Sequence, residues 1–286
     1  MRSSIFRIAS RQRGKPKISP IKVLISVLVI GAVVAASFPI FWTVLTSLKN
    51  RFEIFAYPPL LIFKPTLENY KTVFLKDNFF HYFINSLVVG LCSTVISLVI
   101  GSLAAYSMSR YKTGGKKFSL AILFIRMLPP VAILLPVYLM MRALRLVGTY
   151  YALISIYTLG SIPYAVWLMK GFFDEIPRSV DEAALIDGCS PWGVYWKIIM
   201  PVAMSGLLAT GIFCFIIAWN EFLWALVLTN PSTRTIPVAA AAYISDREIL
   251  WGPMAAAATI ASLPIIIFTL LIQKNLIRGL SYGGIK

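Results

Sequence analysis

Charge is scarce in this chain, and negative charge scarcest. Of 286 residues only 13% are Asp, Glu, Lys or Arg, and just 11 are acidic. An ordinary soluble domain carries about 25% charged residues. The shortage excludes disorder, which needs high charge and low hydrophobicity, and leaves too little polar surface for a typical soluble enzyme. There is one histidine, His81. The three cysteines, Cys92, Cys189 and Cys214, are scattered without a disulfide or metal-ligand spacing. No H-E-x-x-H and no G-x-x-x-x-G-K-[ST] occurs, so the chain does not bind ATP by a Walker loop. Gly279-Leu280-Ser281-Tyr282-Gly283 matches G-x-S-x-G in letters only. The three residues after it include no acid and no histidine to complete a hydrolase triad.

What the chain has instead is apolar sequence. Hydrophobic residues make up 58% of it, and the mean hydropathy is +0.79. About 20 apolar residues cross a bilayer as an α-helix. Six stretches qualify, at about 23–47, 83–108, 118–141, 149–170, 200–220 and 252–273. The pattern predicts an all-α integral membrane protein with six transmembrane helices. Solidly apolar runs do not alternate with the period of two that a β-barrel requires. A shorter run, Phe222–Thr233, follows Trp219-Asn220-Glu221 and reads as a broken or re-entrant piece. The first run is too long for the core of a signal peptide and has no clean small-x-small site at its end, so it reads as an uncleaved helix.

Lys and Arg set the orientation. The tail 1–22 carries seven and no acid. With the loop after the second span, the segment after the fourth and the C-terminal tail 274–286, that face totals 17; the other totals nine. Both termini are therefore expected in the cytoplasm. One charged residue, Arg126, falls mid-span, just before Met127-Leu128-Pro129-Pro130, where a kink is expected. An intramembrane charge either lines a functional cavity, here meeting a polar substrate or Glu221, or fixes its helix by internal pairing. Asn220 and Glu221 divide the same way. Aromatics, 13% of the chain, serve mostly packing and interface anchoring.

The segment 173–201 departs from the basic loops around it. Between Lys170 and Lys197 stand five acids: Asp174, Glu175, Asp181, Glu182 and Asp187. Asp181 reads as a helix N-cap after Pro177, with Glu182 complementing the dipole in the first turn. Ala183-Ala184-Leu185-Ile186 favours a short helix, and Gly188 supplies a positive φ that ends it. Ser190-Pro191 starts a second helix with proline at its first position. The expected product is a helix–glycine turn–helix that presents small side chains and carboxylates at an exposed surface, a usual place for function.

Glu182-Ala183-Ala184, Gly188, Ile198 and Pro201 follow the spacing of the EAA motif of ABC importer permeases: E-A-A, three residues, G, nine residues, I-x-L-P. Met200 replaces the leucine. AWNEFLWALVL (218–228), TIPVA (235–239), LWGPMAAAA (250–258), GLSYGGIK (279–286) and INS (84–86) resemble the carbohydrate-type members, in particular the smaller membrane subunit of maltose and maltooligosaccharide importers. The likeness runs over all but the first 20 residues. It implies a type I importer permease fold in the bacterial inner membrane, without enzymatic activity or a cofactor of its own. ATP and Mg²⁺ would be bound by two cytoplasmic ATPase subunits. A second, related permease and an extracytoplasmic binding protein would complete the assembly; no nucleic acid is implied. The resemblance makes Glu182, Ala183, Ala184, Asp187, Gly188, Ile198 and Pro201 the docking element for the ATPase. It brings the tail Gly279–Lys286 toward the ATPase interface and turns the loop from Asn220 to Trp251 toward the binding protein. The solute stays open between a di- or oligosaccharide and a polyol or glycerol phosphate. A stand-alone secondary carrier or channel is the other class, and it would ordinarily place carboxylates mid-membrane.

Overall fold

In a computed structural model, residues 20–245 and 248–282 are described, with side chains other than those of Pro20, Lys22, Lys116, Leu123, Arg126 and 271–282. Residues 1–19 of the basic tail and the last four residues lie outside them, as does the side chain of Arg126. The chain divides into two units, 1–43 and 44–286. The first contributes most of α1 (Pro20–Ser47), a continuous apolar helix that holds Pro39 in its interior. There the Thr43 hydroxyl bonds to the Pro39 carbonyl at 2.9 Å and Phe38 stacks on Trp42.

The second unit is helical, with no strand among the described residues beyond one isolated bridge, Ile244 to Ile249. Two single-turn helices, α2 (Arg51–Ile54) and α3 (Glu68–Lys71), and a π turn at Thr72–Lys76 precede α4 (Phe79–Tyr111). There follow α5 (Gly115–Met127), α6 (Pro130–Ala143), α7 (Tyr150–Glu175) and α8 (Arg178–Ile186). Next are α9 (Pro191–Gly193), a π stretch at Val194–Ile199, α10 (Met200–Val202) and α11 (Met204–Trp219). The chain closes with α12 (Leu223–Leu228), α13 (Ile236–Ala241) and α14 (Trp251–Tyr282).

Among the described residues four helices are long and apolar enough to span a bilayer: Val23–Ser47, Phe79–Tyr111, Tyr150–Glu175 and Trp251–Leu270. The fifth expected span is a pair, Pro191–Val202 and Met204–Trp219, bent by 79°. The third is not one helix. It ends at Met127, passes through extended Leu128 and Pro129, and restarts with Pro130 at its first turn. Two successive prolines remove two backbone donors, so the expected kink becomes a complete break. The short run after Trp219 is divided as the sequence suggested, into α12 and a non-helical loop.

α4 is the axis of this unit. It runs against α7 along a seam of small residues, where Gly101 sits on Ala165 so closely that a Cβ at 101 would lie 2.4 Å from the Ala165 Cβ. Small residues let membrane helices approach and exchange dispersion contacts without a hydrophobic driving force. Ser97, buried on the same seam, donates to the Thr158 carbonyl at 3.2 Å. α11 closes the other side, and its Trp219 indole donates to Ala261 of α14 at 3.0 Å.

Candidate functional site

The two ends of α4 carry different constructions. At its start, Asn85 donates to the carbonyls of Ser232 and Arg234 (3.0 and 2.9 Å) and accepts from the Tyr150 hydroxyl (2.7 Å). The Ser86 hydroxyl accepts from Ile236 N at 2.8 Å. One His81 ring nitrogen lies 2.6 Å from the Ser232 carbonyl oxygen. The I-N-S triplet is thus a clamp that pins the loop between α12 and α13 to the bundle. At this end too, Tyr243 donates to Asp77 at 2.8 Å, and burial followed by that bond raises its phenol far above the ordinary range. Glu221 is occupied locally: both carboxylate oxygens accept from Trp224 N at 3.1 Å, and one from Ala225 N at 3.2 Å. That caps the start of α12 and favours the structural role for Glu221. Asn220 is exposed and bonds to Ile216 of its own helix at 2.8 Å.

The other end carries the 173–201 segment. α8 ends as its sequence dictates. Gly188 has φ +84°, Gly188 N bonds to Leu185 O (3.1 Å) and Cys189 N to Ala184 O (3.0 Å), the paired bonds of a Schellman motif. Ser190 then caps the next helix, its hydroxyl accepting from Gly193 N at 3.1 Å, with Pro191 in first position. Beyond it Tyr195 is buried against Tyr106, with ring centroids 5.1 Å apart, and its hydroxyl is 2.8 Å from that of Ser102. Ile198 is partly buried and Pro201 exposed.

Two local expectations are corrected. Pro177, not Asp181, occupies the N-cap position of α8, and Asp181 lies inside the helix and is only 7% exposed. Ala184 is likewise buried, at 7%. Both face inward, because α8 packs on the Val194–Ile199 stretch and meets the end of α4 through Tyr106 and Arg110. The outward face is Glu182, Ala183, Leu185, Ile186 and Asp187, with Trp192 and Trp196 exposed beside it.

Asp181 faces inward because Arg110, the penultimate residue of α4, waits for it. Arg110 Nε lies 2.9 Å from Asp181 Oδ2, an ion contact rather than an aligned hydrogen bond, with side chains 7% and 10% exposed. The Tyr106 hydroxyl donates to Asp181 Oδ1 at 2.7 Å. The remaining guanidinium nitrogens donate to the Phe173 and Ile176 carbonyls, at 2.9 and 3.1 Å. A cation on the last carbonyls of a helix caps it and complements its dipole. The joint is doubled nearby: Ser109 Oγ donates to Asp174 at 2.5 Å, Lys170 pairs with the same carboxylate, and Arg178 donates to Ser109 O at 3.0 Å. In sequence Arg110 counts only as a topology charge. A basic residue at the end of a span, with an acid in a later loop, is too common a pattern to mark it.

Four helices long and apolar enough to cross a bilayer, with a bent pair that makes a fifth, give the described residues the character of a multi-pass membrane protein. Residues 97–282 match the family described as binding-protein-dependent transport system inner membrane component. A probable ABC transporter permease protein of Sinorhizobium fredii is 41% identical, over 87% of this chain and 90% of its own. The trehalose transport system permease protein SugB of Mycobacterium tuberculosis is 36% identical, over 88% and 93%. A crystal structure of a bacterial ABC transporter involved in the import of the acidic polysaccharide alginate shares the fold, with a TM-score of 0.77 at 22% identity over 91% of this chain and 99% of that one. The chain belongs to the binding-protein-dependent transport system inner membrane component family, as a multi-pass ABC transporter permease. It is the membrane component of such a system, and ATP hydrolysis is the work of a separate subunit.

Proposed function

We propose that this chain is one of the membrane subunits through which an ATP-driven importer moves a di- or oligosaccharide delivered by an extracytoplasmic binding protein. Both termini face the cytoplasm, α8 with the turn at Gly188 docks on a cytoplasmic ATPase, and a second, homologous permease lines the other half of the pathway. ATP and Mg²⁺ are held by the two ATPase subunits. Residues 1–22 form a cytoplasmic tail, 23–286 the permease domain, and 173–201 the coupling loop.

One observation carries the reading. The outward face of α8 combines the carboxylates of Glu182 and Asp187 with exposed Leu185 and Ile186, on a segment fastened to the ends of two long helices. An exposed apolar patch rimmed by charge marks an interaction surface, and the fastening gives a partner a hold on the bundle. The sugar class is supported by two similar proteins, a trehalose transport permease and a structural neighbour involved in alginate import. Glu182, Ala183 and Gly188 belong to the docking surface, while Ala184, Ile198 and Pro201 seat it. Arg126 and Asn220 are candidates for the pathway; Glu221 holds α12.

The test has two stages. Thermal shift of the binding protein across a panel of sugars, polyols and glycerol phosphate identifies the solute. Stimulated ATP hydrolysis by the whole complex is then compared for wild type, Gly188→Val and Glu182→Lys. Nothing lies within 4 Å of a Cβ at Gly188, so the cost of valine there comes first from the strained positive φ. Lysine at 182 reverses the charge offered to the partner. Both variants are expected to insert and to lose stimulated hydrolysis. Full stimulation in both would remove the coupling role from this loop.

A further inference from the structure

We propose that the buried Arg110–Asp181–Tyr106 cluster is a rigid joint that makes α8 move as one body with the inner ends of α4 and α7, and that these three are positioning residues for transport. This rests on the reading of α8 as the docking helix. It goes further by naming which helices receive the motion and through which bonds.

The geometry supports a joint instead of a simple surface tether. An exposed ion pair holds nothing firmly, because solvent screens it and both side chains stay free. Here both partners are nearly buried, and every guanidinium nitrogen is engaged: Nε on Asp181 of α8, Nη1 on the Phe173 carbonyl of α7 and Nη2 on the Ile176 carbonyl just past it. Tyr106, one turn earlier on α4, takes the other oxygen of the same carboxylate. Three elements therefore meet at one planar, five-donor group that lysine cannot imitate. Aromatic packing of Tyr106 on Phe173 and Tyr195, at 5.6 and 5.1 Å between centroids, excludes water on one side. A cleft of about 140 Å³ beside the cluster is lined in part by Tyr111, Arg178 and Glu182. A partner pressing on α8 presses on Arg110, and Arg110 is part of α4.

Spin labels test this in the complete complex in nanodiscs, with Cys92, Cys189 and Cys214 replaced and new cysteines at exposed Ser179 of α8 and exposed Lys112 just past α4. Distances are measured without nucleotide and after trapping with Mg-ATP and vanadate. The joint predicts one narrow distance, equal in the two states. Asp181→Asn and Arg110→Lys should each split it into two populations whose balance depends on nucleotide, and Tyr106→Phe should broaden it. A purely structural role would lower recovery of the complex yet leave the distance in recovered complexes as in wild type. That outcome overturns the proposal. So does a wild-type distance that changes by more than about 2 Å between states, the scale of helix shifts in switching proteins. Glu182→Lys and Gly188→Val, run in parallel, separate the two levels. If they abolish stimulated hydrolysis while the joint variants keep a single fixed distance, the joint falls and the docking reading stands. If they are silent, the docking reading falls first.

Discussion

Replacing Gly101 by alanine should loosen the α4–α7 seam, and its magnitude follows from the backbone. The new methyl would lie 2.4 Å from the Ala165 Cβ and 3.2 Å from the backbone carbon of Ala165 and nitrogen of Val166. Carbon atoms pack at about 3.5–4.0 Å, so the overlap exceeds about 1 Å and falls on atoms that cannot rotate away. Ala165 and Val166 are buried, so α7 cannot retreat into open space. Overpacking of this kind costs about 1–3 kcal/mol. Against it stands the better helix propensity of alanine, about 1 kcal/mol in water. That gain cancels here, because an inserted but unpacked span is already helical in the membrane. The steric cost wins. Thermal unfolding of the detergent-solubilised protein, followed by fluorescence-detected size exclusion, should show a midpoint several degrees below wild type. Ala165→Gly removes the closest of the three contacts, so the double variant should recover about 1 kcal/mol or more of the loss. An unchanged midpoint for Gly101→Ala, or a double variant no better than the sum of the singles, would refute the seam.

Two further outcomes are expected. Single cysteines placed at Lys64 and Lys117 of a cysteine-free chain should label from opposite sides, Lys117 from the cytoplasm; labelling of Lys117 by an impermeant reagent on intact cells would reverse the topology. Asn85→Ala leaves the Arg234 carbonyl and the Tyr150 hydroxyl without their partner, and the Ser232 carbonyl with His81 alone, at about 1–3 kcal/mol for a group left unsatisfied. Hydrogen exchange should then rise in 229–236 while α7 stays protected, and equal protection of that loop would show the clamp to be redundant.

Features set by near neighbours in sequence were legible. Gly188 with Ser190 and Pro191 specify a turn whose bonds close within six residues, and the structure forms that turn. Long apolar runs mark α4, α7 and α14, though each helix extends past the expected span. What escaped depends on partners far along the chain. Asp181 reads as an exposed cap because its cation is 71 residues earlier. Asn85 stands out in the sequence only as part of a resemblance, yet it holds a loop nearly 150 residues later. Periodicity sees a face, but not which residue on another helix meets it. The break at Pro129-Pro130 escaped for a different reason: one proline kinks a helix, and the second removes the donor that would have let it continue.

That break sets a solvation problem. In an unbroken helix the carbonyls of Ile125 and Arg126 would accept from the nitrogens of residues 129 and 130. Both nitrogens belong to prolines and carry no hydrogen. Two backbone oxygens in mid-span are thus denied their helical donors, and hydrocarbon has none to offer. Lipid tails do not tolerate such a place unless protein or water lies against it. At this depth, therefore, other protein or water must cover the chain where its helix stops.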